Sequence, residues 1–336
     1  MTRLMRAAVF TGAGGPEIIR IDQRAIPDPL HGDVLVRVHA SAMNRADVLQ
    51  RQGRYPPPPG APADIAGLEF AGTVEAIGAG VPRWRAGDRV FGLVSGGAHA
   101  DYVAVQGATL AAVPASMSWT AAGAAPEAFI TAHDALEQAS ARPGDVVLVH
   151  AVGSGVGLAA IQLVRARGAT ALGTSRSAEK LERARALGLS AGLDVGAGVS
   201  GLRAWVLAHT AQRGADVALD LVGGAYVAAT ILSLAMKGRL MLIGTLAGVE
   251  ATIPLHAVLS KRLTIRGTVL RSRAFDERAH DAQVFERGVV PLLADETVRP
   301  VVDTVVPLDR IGDAHRIVEA NRTFGKVVIR MTEDER

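Results

Sequence analysis

Residues 146–160 read Val-Val-Leu-Val-His-Ala-Val-Gly-Ser-Gly-Val-Gly-Leu-Ala-Ala, and no other stretch constrains the fold as strongly. Four consecutive apolar residues before His150 suit a strand buried on both faces, as in a parallel sheet. A turn of small residues follows, and a helix then opens on small residues. Glycines let the chain turn tightly and let phosphate oxygens reach backbone N–H groups, while the helix N-terminus adds partial positive charge. Gly155-Val156-Gly157-Leu158-Ala159-Ala160 satisfies the permissive form G-x-G-x-x-A, although it sits late relative to the strand end. Glycine turns are common, so the surrounding strand–helix–strand context carries the expectation that a dinucleotide's diphosphate rests here.

That context continues downstream. Strands are expected at 169–173, 217–220, 239–243 and 263–270, alternating with helices at 178–187, 200–210 and 226–234, which is the grammar of a parallel sheet. The first hundred residues differ. Short strand candidates at 7–10, 18–21, 34–40, 72–77, 89–93 and 102–105 are punctuated by Gly and Pro, as in a small barrel or sandwich. Residues 34–39 alternate like a half-buried strand, and 121–139 read as one helix. The closing strand, 327–330, is expected to rejoin the first domain. The fold class is therefore α/β, with a β-rich domain at 1–124, a cofactor domain at 125–272 and a return segment at 273–336 completing the first. A chain of 336 residues has room for two domains, and no internal repeat is seen.

Cofactor choice is read at the end of the second strand. NAD-specific folds place a carboxylate there for the ribose hydroxyls. Here Thr170-Ala171-Leu172-Gly173-Thr174 ends in Ser175-Arg176-Ser177, with Lys180 a turn later. Arg176 and Lys180 supply charge, and Ser175 and Ser177 supply hydroxyls, for a 2′-phosphate. Cations are disfavoured at a helix N-terminus unless an anion compensates them. The expected cofactor is NADPH.

Composition narrows the rest. There are 36 basic and 33 acidic residues, and the basic ones are scattered, which argues against nucleic acid as a partner. The densest group, Arg266, Arg271 and Arg273, reads as a solvated strand edge. No apolar run reaches membrane-spanning length, since Pro126 and Glu127 interrupt the Ala-rich segment 121–132. No signal-peptide pattern opens the chain, so a cytoplasmic location is expected. The absence of cysteine excludes disulfides and thiolate metal sites.

Several motifs carry a family resemblance: Asn44-Arg45-Ala46-Asp47, Gln50-Arg51-Gln52-Gly53-Arg54-Tyr55-Pro56-Pro57-Pro58, Gly67-Leu68-Glu69, Gly87-Asp88-Arg89-Val90, Ile161-Gln162-Leu163 and Leu270-Arg271-Ser272-Arg273. With these the chain resembles, over nearly its whole length, the zeta-crystallin-like quinone oxidoreductases of the medium-chain dehydrogenase/reductase superfamily. It is most similar to their tumour-suppressor-induced subgroup. The resemblance implies a GroES-like catalytic domain, a Rossmann domain and NADPH in the cleft between them. It also implies a homodimer joined through the Rossmann edge strand at 263–270. The family's A-x-x-G-x-x-G turn falls on Ala151, Ser154 and Gly157, with Ser154 replacing the middle glycine, and Gly155 and Val156 lie inside it. By the same resemblance Gly244, Thr245, Leu270, Ser272 and Lys326 approach the cofactor. The aromatic that some relatives place near the adenine would fall around Val195.

Zinc-dependent relatives hold their metal with a Cys and a His-Glu pair, whereas Leu68 stands before Glu69 here and no cysteine exists. The histidines show no i, i+4 helical pair, so His39, His99 and His150 read as structural or surface residues. A chain without a Lewis acid suits an acceptor that is already electrophilic, such as a quinone. Asn44 and Tyr55 are the candidates to hydrogen-bond the developing oxyanion. Glu69 is read as a buried carboxylate paired with an arginine, and Pro56–Pro59 as a rigid cleft-lining loop. The expected activity is zinc-independent, NADPH-dependent reduction of a quinone. Reduction of an enone or enoyl C=C bond and a structural NADPH-binding role are the alternatives.

Overall fold

The computed structural model describes residues 2–333. The chain forms two compact units, Met1–Ile130 with Leu270–Arg336, and Thr131–Val269. These cuts fall at 130 and 269 rather than at 124 and 272. The helix Pro126–Gln138 is the reason for the first, because its opening turn bonds to the β-rich unit.

In the first unit, β1 (Leu4–Phe10) and β2 (Ile19–Ala25) form an antiparallel pair. The larger sheet is built on β3 (Asp33–Ala42), followed by α1 (Arg45–Arg51), β4 (Glu69–Ile77), β5 (Arg89–Leu93), β6 (Tyr102–Gln106), β7 (Leu110–Ala112), α2 (Trp119–Gly123) and α3 (Pro126–Gln138). Burial along β3 departs from the expected alternation: only Arg37 is exposed. Strands β4 and β6 flank it, and α2 covers it so closely that a Cβ on Gly123 would lie 2.7 Å from the Ala40 methyl. His39 stacks on Trp119 of α2 with centroids 4.3 Å apart. The core includes Val34, Val36, Phe70, Val90 and Leu110. Each such side chain stabilises the fold by roughly 1.5–3 kcal/mol.

The second unit is a six-stranded parallel sheet. Its elements are β8 (Val146–Val149), α4 (Gly155–Ala166), β9 (Thr170–Ser175), α5 (Ala178–Arg185), β10 (Leu189–Asp194), α6 (Leu202–Ala208), β11 (Ala215–Asp220), α7 (Ala225–Ser233), β12 (Leu234–Leu242), α8 (Leu255–Lys261) and β13 (Thr264–Gly267). The order β10-β9-β8-β11-β12-β13 reproduces the 3-2-1-4-5-6 winding of dinucleotide-binding sheets. The direction of winding reverses between β8 and β11, so ligands are expected at the carboxyl ends of those two strands.

The return segment forms α9 (Phe275–Gly288), α10 (Val290–Ala294), β14 (Val302–Pro307), α11 (Ile311–Glu319) and β15 (Lys326–Arg330). β15 runs antiparallel to β3 and parallel to β14, so the closing strand does rejoin the first unit.

Three readings of local structure need correction. Residues 121–139 are two helices, because Pro126 cannot continue the first and instead starts the second. The edge strand is Thr264–Gly267, shorter than 263–270. β10 was not expected; it contains Gly192, which has no room for a side chain because a Cβ would meet Leu181 at 2.8 Å.

Candidate functional site

The glycine turn lies at the switch point of the parallel sheet. Beneath it His150, fully buried, pairs Nδ1 with the Thr174 hydroxyl at 2.8 Å and Nε2 with the Thr230 hydroxyl at 2.7 Å. Burial pushes its pKa down to about 4, which keeps the ring neutral, and His150 is the structural residue expected. Ala151 then adopts a left-handed φ of 51°. Ser154 caps α4: its Oγ accepts the Gly157 N–H at 3.1 Å, and its own N–H donates to the Ala151 carbonyl at 2.9 Å. Gly157 admits no side chain, since a Cβ would lie 2.6 Å from the Ala151 oxygen. The N–H groups of Gly155 and Val156, in the first turn of α4, have no acceptor among the described residues. Such a pair of outward donors at a helix N-terminus fits a diphosphate.

The second strand's tip is close by. Ser175 Oγ accepts the Ser177 N–H at 3.2 Å, and Ser177 Oγ caps α5 through the Lys180 N–H at 3.3 Å. Arg176 is exposed. The stem of Lys180 lies against the turn, its Cδ being 2.8 Å from where a Gly153 Cβ would sit. Tyr226, which the sequence did not single out, packs edge-on to His150 at 5.1 Å and is reached by the charge of Arg176. Val195 is buried, with its N–H on the Ser175 carbonyl. Gly244 and Thr245 sit in the loop beyond β12. A Cβ on Gly244 would lie 2.6 Å from the Leu221 oxygen.

The β-rich unit brings Asn44, Glu69 and Lys326 together. The Lys326 ammonium contacts Glu69 Oε1 at 2.6 Å and Asn44 Oδ1 at 2.6 Å, and Asn44 Nδ2 donates to Glu69 Oε1 at 2.9 Å and to the Ala42 carbonyl at 3.3 Å. Glu69 is wholly buried, and its partner is this lysine rather than the expected arginine. Asn44 holds the N-cap position of α1, where its backbone N–H meets Asp47 Oδ2 at 2.7 Å; Asp47 Oδ1 accepts the Gly67 N–H. Both Asn44 amide hydrogens therefore have protein acceptors.

A pocket with about 450 Å³ of empty space, solvent at its mouth included, opens beside this cluster, lined by residues such as Leu68, Ser95, Glu127, Leu270 and Arg271. Arg271 corrects the reading of a solvated edge. It is buried, donating through Nε to the Ser95 carbonyl at 2.9 Å and through Nη2 to Gln50 Oε1. A backbone-anchored guanidinium is held inside because Ser95, Tyr55 and Gln50 all supply oxygens. Arg273 pairs with Asp281, and of these three arginines only Arg266, on β13, is exposed. The half-buried Tyr55 ring lies 5.0 Å from the Arg271 guanidinium carbon, and burial pushes its phenol up from its ordinary pKa. Ser272 is exposed in the next turn.

Glu127 was missed as a site residue. Its N–H donates to Glu69 Oε2 at 2.8 Å, and burial together with the neighbouring Glu69 carboxylate raises its pKa to about 8. The available signal was an acid following Pro126 inside an otherwise apolar, Ala-rich segment. Among the described residues, no three His, Cys, Asp or Glu side chains converge as a metal-ligand set. No helix among them is long and apolar enough to cross a membrane.

Comparison with known proteins agrees with this architecture. The family model for the alcohol dehydrogenase GroES-like domain matches residues 30–160, and that for zinc-binding dehydrogenases matches residues 155–285. Quinone oxidoreductase from Lama guanicoe is 30% identical over 97% of this chain and 98% of its own. A crystal structure of an NAD-dependent alcohol dehydrogenase superposes with a TM-score of 0.87 at 31% identity, covering 98% of this chain and all of that one. Escherichia coli quinone oxidoreductase complexed with NADPH gives a TM-score of 0.86 at 26% identity, covering 97% of this chain and 100% of its own. The chain belongs to the medium-chain dehydrogenase/reductase superfamily of NAD(P)H oxidoreductases, among its quinone oxidoreductases.

Proposed function

We propose that this protein binds NADPH on the parallel-sheet unit and reduces quinone-type electrophiles without zinc. The N–H groups of Gly155 and Val156 carry the reading, because they fit a diphosphate and have no acceptor among the described residues. The bare backbone of Gly157 lets the turn close, and Ser154 orders the first turn of α4. Arg176 and Lys180, with Ser175 and Ser177, would hold a 2′-phosphate, and Gly244 and Thr245, in the loop beyond β12, would flank the nicotinamide end. When bound, NADPH supplies a hydride from its nicotinamide C4.

Zinc independence is supported by side-chain chemistry. Leu68 has no ligand atom, and Glu69 already faces a cation, the Lys326 ammonium. Lys326 and Asn44 fix Glu69 in place, and the pocket beside them is walled by Leu68, Leu93 and Leu270, an apolar surface suited to a flat quinone ring. Tyr55 hydrogen-bonds the developing oxyanion. Holding the acceptor about 3–3.5 Å from the donor carbon supplies much of the acceleration. Consumption of NADPH on addition of 1,2-naphthoquinone or 9,10-phenanthrenequinone is the expected result, unchanged after exhaustive chelation. Activity lost to a chelator and restored by zinc would overturn it.

We also propose a homodimer through β13. That strand ends the sheet, and Leu255, Leu259 and Val269 nearby in sequence are exposed, with Leu259 at 75%.

A further inference from the structure

We propose that Glu127 donates the proton of the reduction, passing its carboxyl hydrogen to the oxyanion that forms on the acceptor held beside Leu68 and Arg271. The proposal rests on the quinone-reductase reading above and names the acid that reading lacks.

Two carboxyl groups and one close ammonium meet at this site. Glu69 takes all of the near compensation: Lys326 and Asn44 on Oε1, and the Glu127 N–H on Oε2. Glu69 is therefore the carboxyl group that the close donors hold. Glu127 stands at the start of α3 and lines the pocket with Leu68, Leu93, Ile130 and Leu270, where a charge is poorly solvated. The Glu69 and Asp47 carboxylates oppose its ionisation, while Lys326 and Arg271 favour it less strongly than burial disfavours it. From the far wall, α9 presents Arg278 and Asp281, and Asp281 is paired with Arg273. With a pKa of about 8 the group is protonated at neutral pH. A carboxyl kept protonated in an apolar pocket beside a fixed charge is a recurring form of general acid.

Burial holds the Tyr55 phenol above its ordinary pKa, which makes it a weak proton donor near neutral pH. Arg271 has its guanidinium engaged with Ser95, Tyr55 and Gln50. Glu127 is thus the dischargeable proton at this wall. A hydride supplied by the bound cofactor would leave an electron pair on a carbonyl oxygen of the acceptor. The Glu127 O–H bond breaks, a new O–H bond forms on that oxygen, and the carboxylate left behind recovers a proton from water. One hydride and one proton convert quinone to quinol.

The test compares wild type with Glu127→Gln, which keeps the shape and cannot titrate. Wild-type kcat with 1,2-naphthoquinone should fall above about pH 8. The variant should lose that break and roughly 100-fold in kcat, with the KM for NADPH unchanged. Infrared spectroscopy without cofactor should show a protonated-carboxyl band in wild type that disappears above about pH 8 and is missing from the variant. Wild-type kcat that is flat from pH 7 to 9, or a variant turning over like wild type, overturns the role of Glu127 alone. The infrared band and the wild-type profile decide the matter even if the variant fails to fold. A wild type that never oxidises NADPH with any quinone overturns the parent reading and this one together.

Discussion

Arg176 and Lys180 sit where a carboxylate would recognise an unphosphorylated ribose, and both precede or open α5, whose dipole alone would repel them. The 2′-phosphate proposed here would resolve that conflict. Replacing both with alanine should cut NADPH affinity by roughly 10- to 100-fold and leave NADH affinity within about twofold, as charge-assisted hydrogen bonds are worth about 1.5–3 kcal/mol. Parallel titrations of the two reduced nicotinamides check this, and an unchanged preference would refute the assignment. Their position at the strand tip was legible in the sequence because they are contiguous with a strand end. Arg271 and Glu127 were not, because their burial is created by partners more than fifty residues away, Gln50, Ser95 and Glu69. A one-dimensional pattern shows the residue and not what surrounds it.

At the level of elements, the β8–turn–α4 unit was legible almost to the residue, since the buried strand, the small turn and the helix N-cap each leave a local mark. β10 and α8 left weaker ones: Gly192 disguises the first, and neither is long. The strands and helices around His150, His133 and His315 hold these rings largely out of water, at pKa values of about 4, 4 and 2. An unfolded histidine takes up its proton near pH 6.5, so below that value the unfolded state binds more protons than the folded one. Stability from these rings is complete above pH 6.5 and is lost as pH falls toward 4, by about 1.4 kcal/mol per pH unit for each ring. Glu127 acts in the opposite direction between its unfolded value and about 8, but it is one group against three. Urea denaturation should show a clear loss between pH 7 and pH 5, reduced in His150→Gln. Equal stability at the two pH values would mean that the rings are solvated.

Over the whole molecule, the sequence conveys the two units and their split because strand grammar changes near residue 120 and again after 270. The proposed dimer interface is written less plainly, in a four-residue edge strand and in leucines whose exposure only the fold reveals. Light scattering should give twice the chain mass for wild type and the chain mass for Leu259→Glu; a monomeric wild type would remove the proposed interface. The account depends above all on a dinucleotide resting against the turn from Ala151 to Gly157. Calorimetric titration of NADPH should give saturable one-to-one binding to wild type. It should give at least roughly tenfold weaker binding to Gly157→Ala, whose added Cβ would lie 2.6 Å from the Ala151 oxygen and force the turn apart. A wild type without saturable heat, or a variant that binds as tightly, would contradict it.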